Sequence, residues 1–335
     1  MIRYFMLSLL LMLSACSSTG PVAIKKPDHS PRLVWPAAPE RSRIEFITEF
    51  RDTADLGIEK SFFLKLIELF TGGVEHSLSR PYAVAVHKNR IAIADPDAAM
   101  VHVYELDQPS YSSIDSAGDY HFESPIGVAI DGDRLFIADS KLNKVFVLNK
   151  SYDVLQVLEN LSRPTSLAFD PILQHLYISD TLAHEVHVYD YAGNYLYKIG
   201  KRGDKKAQFN YPSHLAFSNN RLLVNDTMNF RIQAFDSNGR HLQTFGKQGD
   251  ASGYFTQTKG LTVDSDGHIY AADALANRVQ IFNQRGDFLL EFGKSGDQPG
   301  EFHMPSGLTV WDDKIFVADS YNQRIQVFKY LKVDE

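Results

Sequence analysis

Six aspartates recur at a nearly constant interval along the chain, and carboxylates can serve as general acids, general bases or metal ligands. Each one ends a short apolar run, and successive ones are 41 to 47 residues apart. These marker aspartates are Asp95, Asp139, Asp180, Asp226, Asp273 and Asp319. A carboxylate that is needed six times over is better explained by structure than by catalysis. The recurrence therefore predicts that each one accepts backbone N–H bonds in the turn that follows its strand.

The histidines offer a second route to chemistry, through metal binding. His184 and His187 lie in the run HEVHVY, which reads as a strand, whereas the zinc-protease motif that pairs two histidines requires a helix. His102 stands in a comparable position. Histidines placed in this way are expected to be structural. The sequence therefore predicts no metal and no cofactor.

Cys16 is the only cysteine, and it lies where a lipid-modified N-terminus would need it. Arg3 precedes an apolar run over residues 4–13, which is too short to span a membrane. The run ends in Leu-Ser-Ala-Cys, so residues 1–15 are predicted to be a lipoprotein signal peptide, with Cys16 as the lipidation site. Residues 16–40 contain five prolines and predict an extended tether. In lipoproteins of bacteria with two membranes, a residue other than Asp after the lipidated cysteine usually implies sorting to the outer membrane. The resemblance to such lipoproteins, with Ser17 at this position, therefore implies the outer membrane of a bacterial cell envelope, facing the periplasm.

The marker aspartates belong to six copies of a longer unit, in which an apolar run, a short turn, a second run ending in the aspartate, a polar stretch and a third run follow one another. The copies begin at Pro81, Pro125, Pro164, Pro212, Thr258 and Pro305. A period in the forties with about four short strands per unit is typical of propeller blades. The sequence therefore predicts an all-β fold, a six-bladed β-propeller over residues 41–335. A basic residue in the third run, such as Arg231 or Arg324, is predicted to pair with the aspartates across neighbouring blades.

The two ends of the propeller indicate how the ring closes. After Phe328 too few residues remain for a fourth strand in the last blade, whereas RIEFITEF, from Arg43 to Phe50, matches one. We expect this N-terminal strand to complete the last blade and close the ring. The run IEKSFFLKLIELF predicts one short inserted helix near residues 58–70 with a broad apolar face. That face either packs on the ring or contacts a partner or the membrane.

Polar side chains near the heads of the inner strands would surround one opening of the central channel. The candidate ligand-binding residues there are Arg80, Tyr82, Arg163, Thr165, His214 and Lys259. Such a set can bind a carboxylate or a phosphate, or its members can be solvated rim residues.

Three linkers between blades also repeat: GKRGDKKAQF from Gly200, GKQGDASGYF from Gly246 and GKSGDQPGEF from Gly293. They are predicted to share a face with the turns after the marker aspartates. Their basic residues form a candidate crescent for binding a partner: Lys201, Arg202, Lys205, Lys247 and Lys294. Lysines in loops are often simply exposed to solvent, without a partner. The alternative is that the crescent binds an acidic partner.

The repeat resembles the NHL repeat, most closely in IFVADSYNQRIQVF (Ile315 to Phe328) and IYAADALANRVQIF (Ile269 to Phe282). The resemblance covers about residues 79–330 and implies a bacterial NHL-repeat lipoprotein. A peptide-amidating lyase of this fold holds zinc with histidines directly after the inner-strand proline. The residues at those positions here are Tyr82, Ile126, Thr165, Ser213, Lys259 and Ser306, and none is a histidine. These positions also lack the carboxylates that a lactonase-type propeller would need.

Charge narrows the possible partners. The chain has a net charge of −7, which disfavours nucleic acid as a partner. The sequence thus predicts a lipid-anchored propeller that acts as a non-catalytic binding or scaffold module for an envelope protein, a peptide or a polysaccharide. The alternative is a metal-dependent propeller enzyme of the lyase or lactonase type that uses the central channel.

Overall fold

The computed structural model of the chain describes residues 32–58 and 77–332. Within these ranges, 27 strands form six blades and one small hairpin. Cys16, the signal peptide, most of the predicted tether and nearly all of the predicted helix near 58–70 lie outside the described residues. No helix within the described ranges is long and apolar enough to cross a membrane.

Each blade is an antiparallel sheet whose strands follow one another outward from the centre of the ring. Blade 1 contains β3 (Ala83–His87), β4 (Arg90–Asp95), β5 (Met100–Glu105) and β6 (Ser110–Ile114), and the hairpin β7 (Ser116–Ala117) and β8 (Tyr120–His121) follows it. Blade 2 contains β9 (Pro125–Asp131), β10 (Arg134–Asp139), β11 (Lys144–Leu148) and β12 (Val154–Leu158). Blade 3 contains β13 (Pro164–Asp170), β14 (His175–Asp180), β15 (Glu185–Asp190) and β16 (Tyr195–Ile199). The predicted all-β, six-bladed propeller is confirmed.

The second half of the ring repeats this order. Blade 4 contains β17 (Pro212–Ser218), β18 (Arg221–Asp226), β19 (Arg231–Asp236) and β20 (His241–Phe245). Blade 5 contains β21 (Thr258–Val263), β22 (Ile269–Asp273), β23 (Arg278–Phe282) and β24 (Phe288–Phe292). Blade 6 contains β25 (Pro305–Trp311), β26 (Lys314–Asp319) and β27 (Arg324–Tyr330), and outside them β2 (Ile44–Phe50) and β1 (Val34–Trp35). A turn of 3-10 helix, Thr227–Asn229 in blade 4 and Ser320–Asn322 in blade 6, follows the second strand.

The hydrophobic core is divided into six clusters, one between each pair of neighbouring blades. Successive side chains of a strand point to opposite faces, so each second strand contributes to two clusters. In β10, Leu135 and Ile137 pack toward blade 1, whereas Phe136 and Ala138 pack toward blade 3. This explains why the second run of each repeat is apolar at every position instead of alternating.

The N-terminal strand β2 occupies the outermost place that blade 6 could not fill from its own repeat. It pairs antiparallel with β27, with Phe46 opposite Phe328 and Phe50 opposite Ile325. The sixth core cluster lies between blades 6 and 1 and includes Phe50, so the ring is continuous across the junction. Trp35, in the predicted tether, packs against Phe328 with the ring centroids 5.8 Å apart.

The marker aspartates are buried and bind backbone N–H groups, as predicted. Most of the donors, however, precede the inner strand of the same blade. The Arg80 N–H donates to Asp95 at 3.0 Å, and the Arg163 N–H donates to Asp180 at 2.7 Å. In each of the other four blades, a backbone N–H group at the corresponding place donates to the marker aspartate. Each carboxylate thus fixes the segment that enters the channel wall.

The prediction that the basic residues of the third strand pair across blades is wrong. Arg324 binds Asp319 at 2.7 Å, and Arg231 binds Asp226 at 2.8 Å, each within its own blade. Apart from one bond from Arg324 to the Glu49 carboxylate in β2, their remaining hydrogen bonds go to carbonyl oxygens of the linker that enters the blade, such as Asp297 O for Arg324 and Asp204 O for Arg231. In blades 4 and 6 the basic residue therefore joins the marker aspartate to the linker, because both lie at the same end of the blade.

Candidate functional site at the channel mouth

The inner strands β3, β9, β13, β17, β21 and β25 surround a central channel, and each contacts the inner strands of both neighbouring blades. The channel has a volume of about 450 Å³, and much of its wall is apolar. All inner strands begin at the same end, which we call the mouth. The second strands end there, and the linkers enter there, so the marker aspartates, the turns after them and the linkers share the mouth face of the ring.

Three side chains meet at the mouth and form what we call the neck: Tyr82, His214 and Lys259. Tyr82 belongs to blade 1 and His214 to blade 4, which lie on opposite sides of a six-bladed ring. Their rings nevertheless stack, with centroids 5.9 Å apart and planes inclined by 28°. The Lys259 ammonium lies 5.0 Å from the centroid of the Tyr82 ring. The neck therefore spans the channel.

Burial sets the protonation states in the neck. It raises the pKa of the Tyr82 hydroxyl to about 12, against the opposing effect of Arg163 and Arg80. Burial and, to a smaller extent, the charge of Lys259 lower the pKa of His214 to about 3. Burial and then Arg80 also lower the pKa of Lys259. At neutral pH, Tyr82 and His214 are thus uncharged.

The positive charges around the neck are only partly compensated. Arg80 forms an ion pair with Asp97 at 2.5 Å. Within the described ranges, Arg163 and Lys259 have no carboxylate partner, and His214 Nε2 is buried without a hydrogen-bond partner. As far as the structure describes the chain, the mouth thus has two cations without a carboxylate partner and one buried ring nitrogen without a hydrogen-bond partner.

Thr165 has a different role from the other candidate residues. Its hydroxyl lies 2.7 Å from the Thr181 hydroxyl and donates to Ser213 O at 2.8 Å, so it links blade 3 to blade 4. Equivalent bonds join other blades, including the one from Ser320 to Pro81 O, which connects blade 6 to blade 1 at 2.6 Å. Sequence reasoning missed this network, although Ser or Thr directly after several marker aspartates is its signal.

His214 occupies a position that is glycine in three other blades. The equivalents are Gly127, Gly260 and Gly307, two residues after the start of their copies. A Cβ atom on Gly307 would lie 2.6 Å from Tyr82 O, because neighbouring inner strands approach closely there. An imidazole at such a crowded position distinguishes blade 4 from its neighbours. Aligning the six copies of the repeat shows this histidine in place of glycine from the sequence alone.

The three repeated linkers share one conformation, closed in each by a short parallel bridge, for example Arg202 to Phe209. The crescent lysines and Arg202 are exposed, but their surroundings differ. Lys294 pairs with Glu301 at 3.1 Å, and Lys247 lies 4.0 Å from the centroid of the Tyr254 ring. The linker over 200–209 holds four basic residues and one acidic residue, whereas the one over 246–255 is neutral and the one over 293–302 is acidic. The basic charge is thus concentrated in the linker between blades 3 and 4.

Among the described residues, no three His, Cys, Asp or Glu side chains are grouped closely enough to hold a metal ion. His102 and His187 instead lie beside marker aspartates, with N–O distances of 3.6 Å to Asp95 and 3.9 Å to Asp180.

Comparison with known families agrees with this architecture. The sequence model of the NHL repeat matches residues 302–328, which include the third-strand arginine and the last marker aspartate. A family model described as a 6-bladed beta-propeller matches residues 204–279. The chain is a six-bladed β-propeller whose last repeat matches the NHL repeat. A search of the curated proteins found no match to the sequence.

Solved structures with the same fold have diverse functions. The NHL-repeat propeller is similar to virginiamycin B lyase from Staphylococcus aureus, with 15% identity, a TM-score of 0.57, and coverage of 76% of this chain and 96% of the lyase. Hydrazine synthase from Kuenenia stuttgartiensis matches with 12% identity, a TM-score of 0.55, and coverage of 79% and 99%. A protein of unknown function from Bacteroides thetaiotaomicron matches with 14% identity, a TM-score of 0.58, and coverage of 76% and 70%. At such identities the likeness shows the fold alone.

Proposed function

We propose that the chain is a non-catalytic binding module that holds an anionic group of its ligand at the mouth of the channel. The observation that carries the proposal is a pair of cations, Arg163 and Lys259, that have no carboxylate partner among the described residues and lie near the uncharged Tyr82 and His214. Lys259 is partly buried, whereas Arg163 is exposed at the rim of the mouth. A partly buried cation without a counterion costs free energy, and groups that are retained at such a cost are typical of binding sites.

The neck offers complementary contacts to a carboxylate or a phosphate. Lys259 supplies a point charge, and the Arg163 guanidinium can donate two parallel hydrogen bonds to one anion. The Tyr82 hydroxyl is a donor at neutral pH because its pKa is raised to about 12. His214 donates as well in the tautomer that carries the proton on Nε2. Four groups from blades 1, 3, 4 and 5 thereby converge on one anion.

The cellular setting is also part of the proposal. Lipid on Cys16 and the tether would hold the propeller at the outer membrane, facing the periplasm. Anchoring raises the local concentration of the module near envelope partners, so modest affinity at the mouth would suffice. The ligand class that we propose is an envelope protein, a peptide or a polysaccharide that presents an acidic group.

Calorimetric titration with citrate and with inorganic phosphate tests the proposal. Wild-type protein is expected to bind at least one of these anions. The Arg163→Gln and Lys259→Met variants are expected to bind it about 10- to 100-fold more weakly, as follows from losing a charge-assisted hydrogen bond.

The matched control is Lys150→Met, which removes an exposed lysine from a β-turn of blade 2. It is expected to bind like the wild type. Absence of binding, or equal binding by all variants, would contradict the proposal. Metal analysis of the same sample addresses the enzymatic alternative, because a stoichiometric metal would favour it.

A further inference from the structure

Four consecutive blades present a large apolar side chain at one equivalent position of the mouth face. The position lies two residues after the marker aspartate, in the turn between the second and third strands. The residues are Leu182, Met228, Leu275 and Tyr321, and between 48 and 57% of each is exposed. We call these four residues, in blades 3 to 6, the apolar arc.

The fold itself does not require apolar residues at this position. Blades 1 and 2 place Asp97 and Lys141 there, and both form ion pairs on the same face, with Arg80 and Glu123. A charged side chain is therefore compatible with the turn. Exposed apolar side chains that recur on one face, with polar residues completing the circle, indicate a surface that contacts another molecule.

The apolar arc and the mouth belong to the same face and are in contact. Tyr321 interacts with the Arg80 side chain at the edge of the mouth. The most basic linker, over residues 200–209, enters between blades 3 and 4, within the span of the arc. Among the described residues, the face thus has cations without a carboxylate partner at its centre and apolar side chains along about two thirds of its margin.

We infer that the apolar arc and the mouth form one docking surface for an acidic peptide segment of a protein partner. A carboxylate side chain of the segment binds at Arg163 and Lys259, and apolar side chains on either side of it contact the arc. Charge complementarity selects the acidic residue, and the arc selects a peptide over a polysaccharide, which has few apolar groups to bury. This inference rests on the proposed anion-binding function of the mouth.

Selection from a displayed library of random twelve-residue peptides tests the inference. Peptides enriched on the wild-type protein are expected to share an Asp or Glu with large apolar residues near it. A variant with Leu182, Met228, Leu275 and Tyr321 all replaced by serine, the arc variant, should bind these peptides at least tenfold more weakly. It should still bind the small anion of the calorimetric test. The milder pair Leu275→Ser and Tyr321→Ser should show a smaller loss in the same direction.

The chain offers a matched control in four leucines that recur at the second residue of the outer strand. Leu155, Leu196, Leu242 and Leu289 are between 41 and 47% exposed, on the circumference of the ring instead of the mouth face. Replacing these four with serine changes the surface as much as the arc variant does. This control is expected to retain both peptide binding and anion binding.

The remaining outcomes separate the two proposals. If the small anion binds but the selected peptides bind the arc variant as tightly as the wild type, the docking surface is wrong and the anion site stands. If neither anion nor peptide depends on Lys259, the proposed function fails as well. Displacement of the peptides by a synthetic peptide of residues 59–76, or by anionic vesicles, would assign the arc to that occupant and overturn the inference.

Discussion

Replacing Arg324 with leucine is expected to lower the free energy of unfolding by about 3–5 kcal/mol, the range found when one partner of a buried ion pair is removed. Arg324 is fully buried, and all five of its N–H groups donate hydrogen bonds. Two go to the carboxylates of Asp319 and Glu49, each at 2.7 Å. The other three go to carbonyl oxygens of the linker between blades 5 and 6.

The expected loss is large because this side chain closes the ring. Glu49 lies in β2, at the N-terminal end of the described chain, whereas Arg324 and Asp319 belong to the last repeat. Leucine retains much of the apolar volume but leaves two carboxylates facing each other without a cation. Their mutual repulsion would weaken the pairing of β2 with β27, on which closure depends.

Urea unfolding of Arg324→Leu, Glu49→Gln and the double variant provides the measurement. The two changes should be strongly non-additive, because they remove the same interaction. Arg285→Leu is the control, since that side chain is exposed and should change stability by less than about 0.5 kcal/mol. Additive effects, or a loss for Arg324→Leu no larger than the control's, would show that the closure does not depend on this network.

Acid is expected to destabilise the wild-type protein partly through His214. Its pKa is about 3 in the folded protein, because of burial and the charge of Lys259, and about 6.5 in an unfolded chain. Between these values the unfolded state binds the proton and the folded state does not, so stability falls as pH decreases from about 6.5 toward 3. At roughly 1.4 kcal/mol per pH unit, the cost reaches several kcal/mol.

The measurement is the free energy of unfolding of wild type and His214→Ser at pH 7 and at pH 4.5. Serine is the residue at the equivalent position of blade 3, Ser166, so the backbone there accommodates it. The Tyr82 hydroxyl, with a pKa of about 12, stays uncharged over this range. The variant should therefore gain stability relative to wild type on acidification by more than about 1 kcal/mol. An equal acid response of the two proteins would mean that His214 is not held neutral by burial.

The repeat pattern predicted the blades because each copy of the repeat contains the features that define its own blade. Apolar runs of fixed order, an aspartate at the end of the second strand and a turn of four residues after it are local features, and they recur six times. The place of β2 in blade 6 also followed, because a strand was missing at one end of the chain and present at the other. The direction of the arginine contacts was not predictable, since the sequence does not show how a linker folds over the blade that it enters.

The sequence predicted which residues lie at the candidate site but not how their side chains contact one another. Arg80, Tyr82, Arg163, His214 and Lys259 do lie around one opening, because the repeat register places them there. The stacking of Tyr82 on His214 joins opposite blades and depends on the ring diameter, which no single repeat encodes. The role of Thr165 was missed, since its hydroxyl bonds to the neighbouring blade. The sequence signal for this network, Ser or Thr directly after several marker aspartates, was not interpreted.

The central claim is that Lys259 is kept at the mouth for binding and at a cost to stability. The most direct test is thermal unfolding of wild type and Lys259→Met at neutral pH, with and without citrate. Burial and Arg80 lower the pKa of Lys259, so the charged side chain destabilises the folded state. Methionine removes that cost and retains a favourable contact with the Tyr82 ring.

Without citrate, the variant is predicted to be more stable than wild type by about 0.5–2 kcal/mol, as is common when a functional group is replaced. With citrate, only the wild type should gain stability, because a ligand stabilises the state that binds it. A variant that is less stable than wild type, or that citrate stabilises as much as wild type, would contradict the account.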